Sequence, residues 1–64
     1  MDYEVGDYVL CTFLGEYEVA PIKEVAYAGV EVLSYLVDLE RGPRWMSPSN
    51  IIHLVKSHKE DSDE

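Results

Sequence analysis

The chain is poor in cysteine and in long apolar runs, and each shortage excludes a class of protein. Its 64 residues include a single cysteine, Cys11, so no disulfide can form within the chain, and its small core must be held by apolar packing or by a partner chain. No stretch approaches the roughly 20 apolar residues that a membrane-spanning helix needs, and the first residues lack the pattern of a secretion signal. We therefore expect a soluble, intracellular protein that does not enter membranes.

Basic residues are also scarce. Thirteen Asp and Glu residues against five Lys and Arg residues give a net charge of −8, and residues 1–55 alone carry nine acidic and three basic residues, a net charge of −6. Because nucleic-acid affinity comes largely from Lys and Arg that displace counterions from phosphates, we do not expect direct binding to DNA or RNA. An acidic surface attracts basic peptides and basic protein surfaces instead. The same acidity is also explained by solubility alone, and both interpretations are open at this point.

Groups that could perform catalysis or hold a metal are few. The two histidines, His53 and His58, have no nucleophile motif near them. One cysteine and two histidines, without a second pair of ligands, do not make a zinc site. Cys11 is best interpreted as a small buried apolar residue. We therefore expect no enzyme activity, no metal and no cofactor.

The apolar residues occur in short runs rich in β-branched and aromatic residues and bounded by turn residues, which is typical of strands. This pattern predicts five strands, at residues 8–14, about 19–28, 30–39, 45–46 and 51–55. Residues 47–50, Ser-Pro-Ser-Asn, predict a single helical turn before the last strand. Residues 1–55 are then one small domain. Residues 56–64 have no apolar side chain and are predicted to be a disordered polar tail.

Alternation within the predicted strands indicates which side chains point inward. Val9, Cys11 and Phe13 share one face of the first strand. Ala20 and Ile22 are the inward pair of the second. Pro21 lies between that pair and predicts an edge strand or a bulge, because proline has no backbone donor. In the third strand the polar residues do not keep a two-residue period, which predicts another bulge.

Several short motifs resemble those of a known family. Residues 6–11, Gly-Asp-Tyr-Val-Leu-Cys, resemble the G-D-x-V-x-A opening of Tudor, PWWP and related domains, and residues 17–22, Tyr-Glu-Val-Ala-Pro-Ile, resemble their aromatic-x-x-A-x-I second strand. Residues 47–54 are similar to their closing turn and strand. The resemblance spans residues 5–55. It implies an all-β fold, a single small five-stranded bent SH3-like (Tudor-like) barrel with a one-turn helix before the last strand.

The aromatic residues are the candidate binding residues, because a core this small can hold only some of the five Tyr, one Phe and one Trp. In Tudor-like barrels, rings at one rim form a cage for methylated Lys or Arg through cation–π attraction. The resemblance implies that Phe13, Tyr17 and Tyr35 match cage aromatics and that Asp38 lies near the polar cage residue. One cage aromatic has no counterpart, since residues 38–41 read Asp-Leu-Glu-Arg where the family often has D-Y-G-N.

Trp45 is a further contact candidate, because Trp is frequent among binding hot spots. The predicted site is an acidic, aromatic rim of six residues: Phe13, Tyr17, Tyr35, Asp38, Glu40 and Trp45. At least two of the four aromatic residues are expected to be exposed beside the two acidic ones. The alternative is that Phe13 and Tyr35 fill the barrel, while Tyr17 caps a loop and Trp45 seals one end.

The rim favours a non-catalytic module that binds a basic peptide or protein surface, plain or methylated, as a monomer or weak dimer. A Tudor-like reader would be nuclear, and any other such module cytoplasmic. Two alternatives stay open. One is a small free-standing acidic inhibitor or regulator, of a kind that phages encode, which imitates the charge of nucleic acid and binds a host protein. The other is an assembly subunit that pairs through a barrel edge.

Overall fold

The computed structural model describes residues 3–59, which form five antiparallel strands and no α-helix. The strands are β1 (Tyr8–Phe13), β2 (Glu16–Ala28), β3 (Glu31–Leu39), β4 (Gly42–Met46) and β5 (Ile51–Lys56), with a 3-10 turn at Pro48–Asn50 directly before β5. The predicted all-β class, the five strands and the single helical turn are therefore confirmed. Within residues 3–59, no helix is long and apolar enough to cross a membrane.

The longest strand, β2, pairs with one neighbouring strand along its first part and with another along its second part. The strand order is β4-β3-β2-β1-β5, and residues 16–21 of β2 pair with β1, whereas residues 22–28 pair with β3. We call β5, β1 and residues 16–21 the first half-sheet, and residues 22–28, β3 and β4 the second half-sheet. Pro21 is the last β2 residue that pairs with β1. A residue without a backbone donor thus lies where the strand changes partner.

Two register shifts interrupt the pairing of β2 with β3. One leaves Lys23 unpaired between Ile22 and Glu24, and the other leaves Leu33 of β3 unpaired. The irregular polar pattern of the third strand predicts this second bulge, and the bulge is present. The sequence predicts an edge strand or a bulge at Pro21, and this needs correction. β2 is the central strand, and its bulge is at Lys23, two residues after Pro21. Bulges of this kind increase the local twist of a sheet.

One face of each strand supplies the core. Its buried members are Val9, Cys11, Ala20, Ile22, Tyr35, Val37, Leu39, Met46 and Ile51. The predicted inward pair, Ala20 and Ile22, is among them. Because side chains alternate along a strand, the residues between these core positions form an outward face on each half-sheet. The candidate site lies on these outward faces and at the hairpin tips.

The Gly6-Asp7 pair forms a structural clamp between the two ends of the described chain. The Asp7 side chain is buried, and its two carboxylate oxygens accept hydrogen bonds from the backbone N–H of Glu4 (3.0 Å) and of His58 (2.9 Å). Gly6 has a φ of +97°, and a Cβ at this position would lie 2.9 Å from the Cβ of His58. Glycine is therefore required here. We call Glu4, Gly6, Asp7 and His58 the Asp7 clamp.

β5 and the Asp7 clamp reach past residue 55, into the segment predicted as a tail. Lys56 is the last residue of β5, and His58 belongs to the Asp7 clamp. The predicted tail began at Lys56 because no apolar side chain follows Val55. A hydrogen bond from its backbone N–H to the buried Asp7 carboxylate holds His58 instead. The periodicity of apolar residues cannot predict such a contact. Residues 60–64 of the predicted tail lie outside the described residues.

Glu4 adds a pH-dependent contact to the Asp7 clamp. Its carboxylate lies 2.7 Å from Nε2 of His58 and 3.8 Å from Nζ of Lys59. The hydrogen bond with His58, and then the charge of Lys59, lower the pKa of Glu4 below its usual value. A carboxyl group whose pKa is lowered by folding stabilises the fold above its unfolded-state pKa, and this contribution is lost as the pH falls through its folded-state pKa.

We expect Glu4→Gln to lower the melting temperature slightly at neutral pH, because exposed ion pairs contribute little. The difference from the natural chain should vanish in acid, once Glu4 is protonated in both folded and unfolded states. Thermal melts followed by far-UV circular dichroism across the acid range check this. A difference that is as large in acid as at neutral pH would contradict the role given to Glu4.

Candidate functional site

Tyr35, one of the six predicted rim residues, is a core residue. It is 1% exposed, its ring packs edge-to-face against Tyr3 with 5.7 Å between ring centroids, and its hydroxyl accepts a hydrogen bond of 3.1 Å from the Tyr3 backbone N–H. The ring therefore offers no surface to a partner. The position of Tyr35 agrees with the alternative interpretation, in which this residue fills the core.

Tyr17 is 68% exposed and lies on the first half-sheet, opposite Thr12 of β1. Its sequence neighbours Glu16 and Glu18 line a pocket together with Cys11, on the other face of the strand. This follows from the alternation of side chains. Tyr17 consequently faces away from the two acidic residues that the sequence places beside it.

Phe13 lines a pocket of about 120 Å³ between the tips of the β1–β2 and β3–β4 hairpins. The lining residues are Cys11, Phe13, Leu14, Glu16, Glu18, Leu39, Arg41 and Arg44. We call this the hairpin pocket. A cavity of about 150 Å³ binds benzene, and sites for drug-sized ligands run from about 300 to 1,000 Å³. The hairpin pocket therefore has room for about one side chain.

The ring of Phe13 is already in contact with a cationic side chain of the same protein. The guanidinium carbon of Arg44 lies 4.6 Å from the ring centroid, which is a cation–π contact. A residue of the same chain thus occupies the position that the predicted cage gives to a cation from a partner. Sequence reasoning missed this contact because Phe13 and Arg44 belong to different hairpins. The available signal was the placement of both arginines, Arg41 and Arg44, in one predicted turn.

Glu18 joins the two hairpins at the pocket. One of its carboxylate oxygens accepts a hydrogen bond of 2.6 Å from the backbone N–H of Glu40. The backbone of Glu40, one of the six predicted rim residues, therefore lies beside the pocket. The thiol of Cys11 donates to the Glu18 carbonyl at 3.4 Å. Burial, and then the charge of Glu18, raise the pKa of Cys11. The thiol therefore stays protonated at neutral pH and is not an activated nucleophile.

Trp45 lies on the outward face of the second half-sheet together with two acidic residues. It is 48% exposed and directly opposite Leu36, which is itself opposite Glu24. Asp38 is the next outward residue of β3 after Leu36 and is opposite Pro43. Opposite side chains on one face are about 5 Å apart at Cβ, and diagonal ones about 7–8 Å. We call Glu24, Leu36, Asp38 and Trp45 the tryptophan face.

The two carboxylates of the tryptophan face are exposed, and among residues 3–59 neither is part of an ion pair. Asp38 and Trp45 are the two predicted rim residues that the structure brings onto one face. Glu24 was missed because strict alternation from the buried Ile22 would point it inward. The bulge at Lys23 reverses that alternation and turns Glu24 outward.

In the part of the chain that the structure describes, no three His, Cys, Asp or Glu side chains are grouped so that they could hold a metal ion. No protein-family model matches the chain, and no curated protein or solved structure is significantly similar to it.

Proposed function

We propose that this chain is a non-catalytic module that binds a basic segment of another protein on the tryptophan face. The observation that carries the proposal is the exposed indole of Trp45 on one face with the exposed carboxylates of Glu24 and Asp38. An indole ring attracts the cation of a Lys or Arg side chain, and the carboxylates supply the opposite charge. The net charge of −8 favours the encounter with a basic partner.

The hairpin pocket is a poorer site for a partner's cation. Arg44 covers the ring of Phe13, and Arg41 also lines the pocket. Glu16 and Glu18 balance the charge of these two guanidinium groups, but the face of the ring that a second cation would use is already taken by Arg44. A Tudor-like cage at Phe13 would need that ring to be free, so the ligand we propose is a plain basic segment rather than a methylated side chain. The resemblance to Tudor-like domains is supported by the five-stranded order and by the helical turn before β5.

Trp45→Ala is expected to weaken the binding of a Lys- and Arg-rich peptide at least about tenfold, because truncating an aromatic hot spot typically costs more than about 1.4 kcal/mol. Isothermal titration calorimetry measures the affinity. Tyr27→Ala is the matched control, since Tyr27 is an exposed aromatic residue outside the tryptophan face, and this variant should bind as the natural chain does. If the two variants bind equally well, the tryptophan face is not the site.

Charge variants separate this proposal from that of an acidic inhibitor. A chain that imitates nucleic acid depends on its summed charge, so the loss of any exposed carboxylate should weaken binding by a similar factor. A local site predicts a larger loss for Glu24→Gln than for Glu31→Gln, which removes an exposed carboxylate at the β2–β3 turn. Equal losses would favour the inhibitor.

A further inference from the structure

Among residues 3–59, no carboxylate belongs to the outward face of the first half-sheet. Its residues are Tyr8, Leu10 and Thr12 of β1, Tyr17, Val19 and Pro21 of β2, and His53 and Lys56 of β5, which lie opposite one another in the strand register. We call this the acid-free face. The acidic residues of this part of β2, Glu16 and Glu18, point to the other side and line the hairpin pocket.

The acid-free face is also apolar and open. Tyr17, Val19 and Tyr8 are all exposed, and Val19 is directly opposite Leu10, so that the apolar side chains form one continuous surface across β2 and β1. Contiguous exposed apolar patches on small domains mark interaction sites. This surface lies on a different half-sheet from the tryptophan face.

Charge indicates what covers the acid-free face. A basic partner gains little from a surface without carboxylates. Two copies of this chain each carry a net charge of −8 and repel one another unless their carboxylates stay apart on association. We propose that the acid-free face is the contact surface of a homodimer, in which two first half-sheets pack face to face around a two-fold axis.

The strand edges are less suited to self-association. The β4 edge contains Pro43, and β5 has two register shifts against β1, which leave Ile52 and Val55 unpaired in that ladder. Prolines and bulges are features that prevent edge-to-edge pairing. Face-to-face packing needs no free edge. It also leaves the two tryptophan faces of the dimer open, so the dimer presents two copies of the proposed basic-segment site.

Sedimentation velocity of the full chain at low and high protein concentration tests the homodimer. Association should strengthen as salt rises from about 0.1 M to about 1 M, because the Debye length falls from about 10 Å to about 3 Å and screens the repulsion. Binding of a basic peptide to the tryptophan face should weaken over the same range, so the two interactions respond in opposite directions. A chain that stays monomeric at high concentration in high salt would overturn the homodimer.

Variants of Val19 locate the contact. Val19→Glu and Val19→Arg should each weaken the dimer at least about tenfold, since either charge would be desolvated in an apolar contact. Val30→Glu and Val30→Arg are the matched controls, because they change the net charge identically at an exposed residue of the β2–β3 turn. In high salt these controls should dimerise as the natural chain does. If Val19 and Val30 variants associate equally, the acid-free face is not the contact.

Folding of each variant is checked by far-UV circular dichroism. Should either Val19 variant fail to fold, Tyr17→Glu replaces it, because Tyr17, at 68%, is more exposed than Val19 or Tyr8. Tyr17→Glu should likewise weaken the dimer at least about tenfold. A folded Tyr17→Glu variant that dimerises as the natural chain does would overturn the proposal.

Discussion

Asp7→Ala is expected to lower the melting temperature by at least roughly 12 °C. The buried carboxylate accepts two backbone hydrogen bonds, from Glu4 and His58, and each bond to a charged group contributes about 1.5 to 3 kcal/mol. In a domain of about this size, 1 kcal/mol corresponds to about 4 to 8 °C. Removal of Asp7 also leaves two N–H groups without their acceptor. Thermal unfolding followed by circular dichroism gives the value.

Asp38→Ala is the matched control, because the Asp38 side chain is exposed and forms no ion pair among residues 3–59. It should melt within about 4 °C of the natural chain, as most surface substitutions do. Truncation after Lys56 removes His58 from the Asp7 clamp, so this variant should also lose several degrees. The sequence alone predicts almost no effect of that truncation. If Asp7→Ala and Asp38→Ala melt at the same temperature, the Asp7 clamp does not stabilise the domain.

Tyr35→Ala is expected to remove a large part of the domain's free energy of unfolding. Truncation of a large buried aromatic residue costs about 3 to 5 kcal/mol. The total stability of 64 residues, at about 0.05 to 0.15 kcal/mol per residue, is only roughly 3 to 10 kcal/mol. Urea unfolding followed by the fluorescence of Trp45 measures the free energy of unfolding.

Two further variants of aromatic residues separate packing from hydrogen bonding at Tyr35. Tyr35→Phe keeps the ring and removes only the hydroxyl that accepts the Tyr3 backbone N–H, so it should cost about 1 kcal/mol. Tyr17→Ala removes an aromatic ring that is not part of the core, and it should change stability by about 0.5 kcal/mol or less. A Tyr35→Ala variant as stable as Tyr17→Ala would contradict the placement of Tyr35 in the core.

The strands, the helical turn and much of the core could be predicted because they depend on short-range patterns. Alternation of apolar residues places Val9, Cys11, Ala20 and Ile22 inward, and proline together with serine ends β4 and forms the turn at Pro48–Asn50. Each of these signals lies within a few residues of the element that it predicts. The fold class follows from their order along the chain.

The candidate site was harder to predict because it depends on contacts between distant residues and on a single bulge. The bulge at Lys23 turns Glu24 outward, and no alternation rule places it there. The contact of Arg44 with Phe13 joins two hairpins. Tyr35 was a rim candidate by resemblance, but its side chain points to the core together with those of Val37 and Leu39. A resemblance of short motifs shows which residues occupy matching positions along the chain. It does not show which of their side chains are exposed, because exposure depends on how the half-sheets pack.

Amide chemical-shift mapping with a plain Lys- and Arg-rich peptide tests the tryptophan face most directly. We predict that the shifts cluster at Glu24, Leu36, Asp38 and Trp45, include the indole N–H, and leave Phe13 unchanged. A trimethyl-lysine version of the peptide should bind no more tightly, because Arg44 already covers the ring of Phe13. Shifts that are absent from the tryptophan face, or that concentrate around Phe13 and Arg44 and grow with methylation, would contradict the proposed site and favour a methyl-lysine cage at the hairpin pocket.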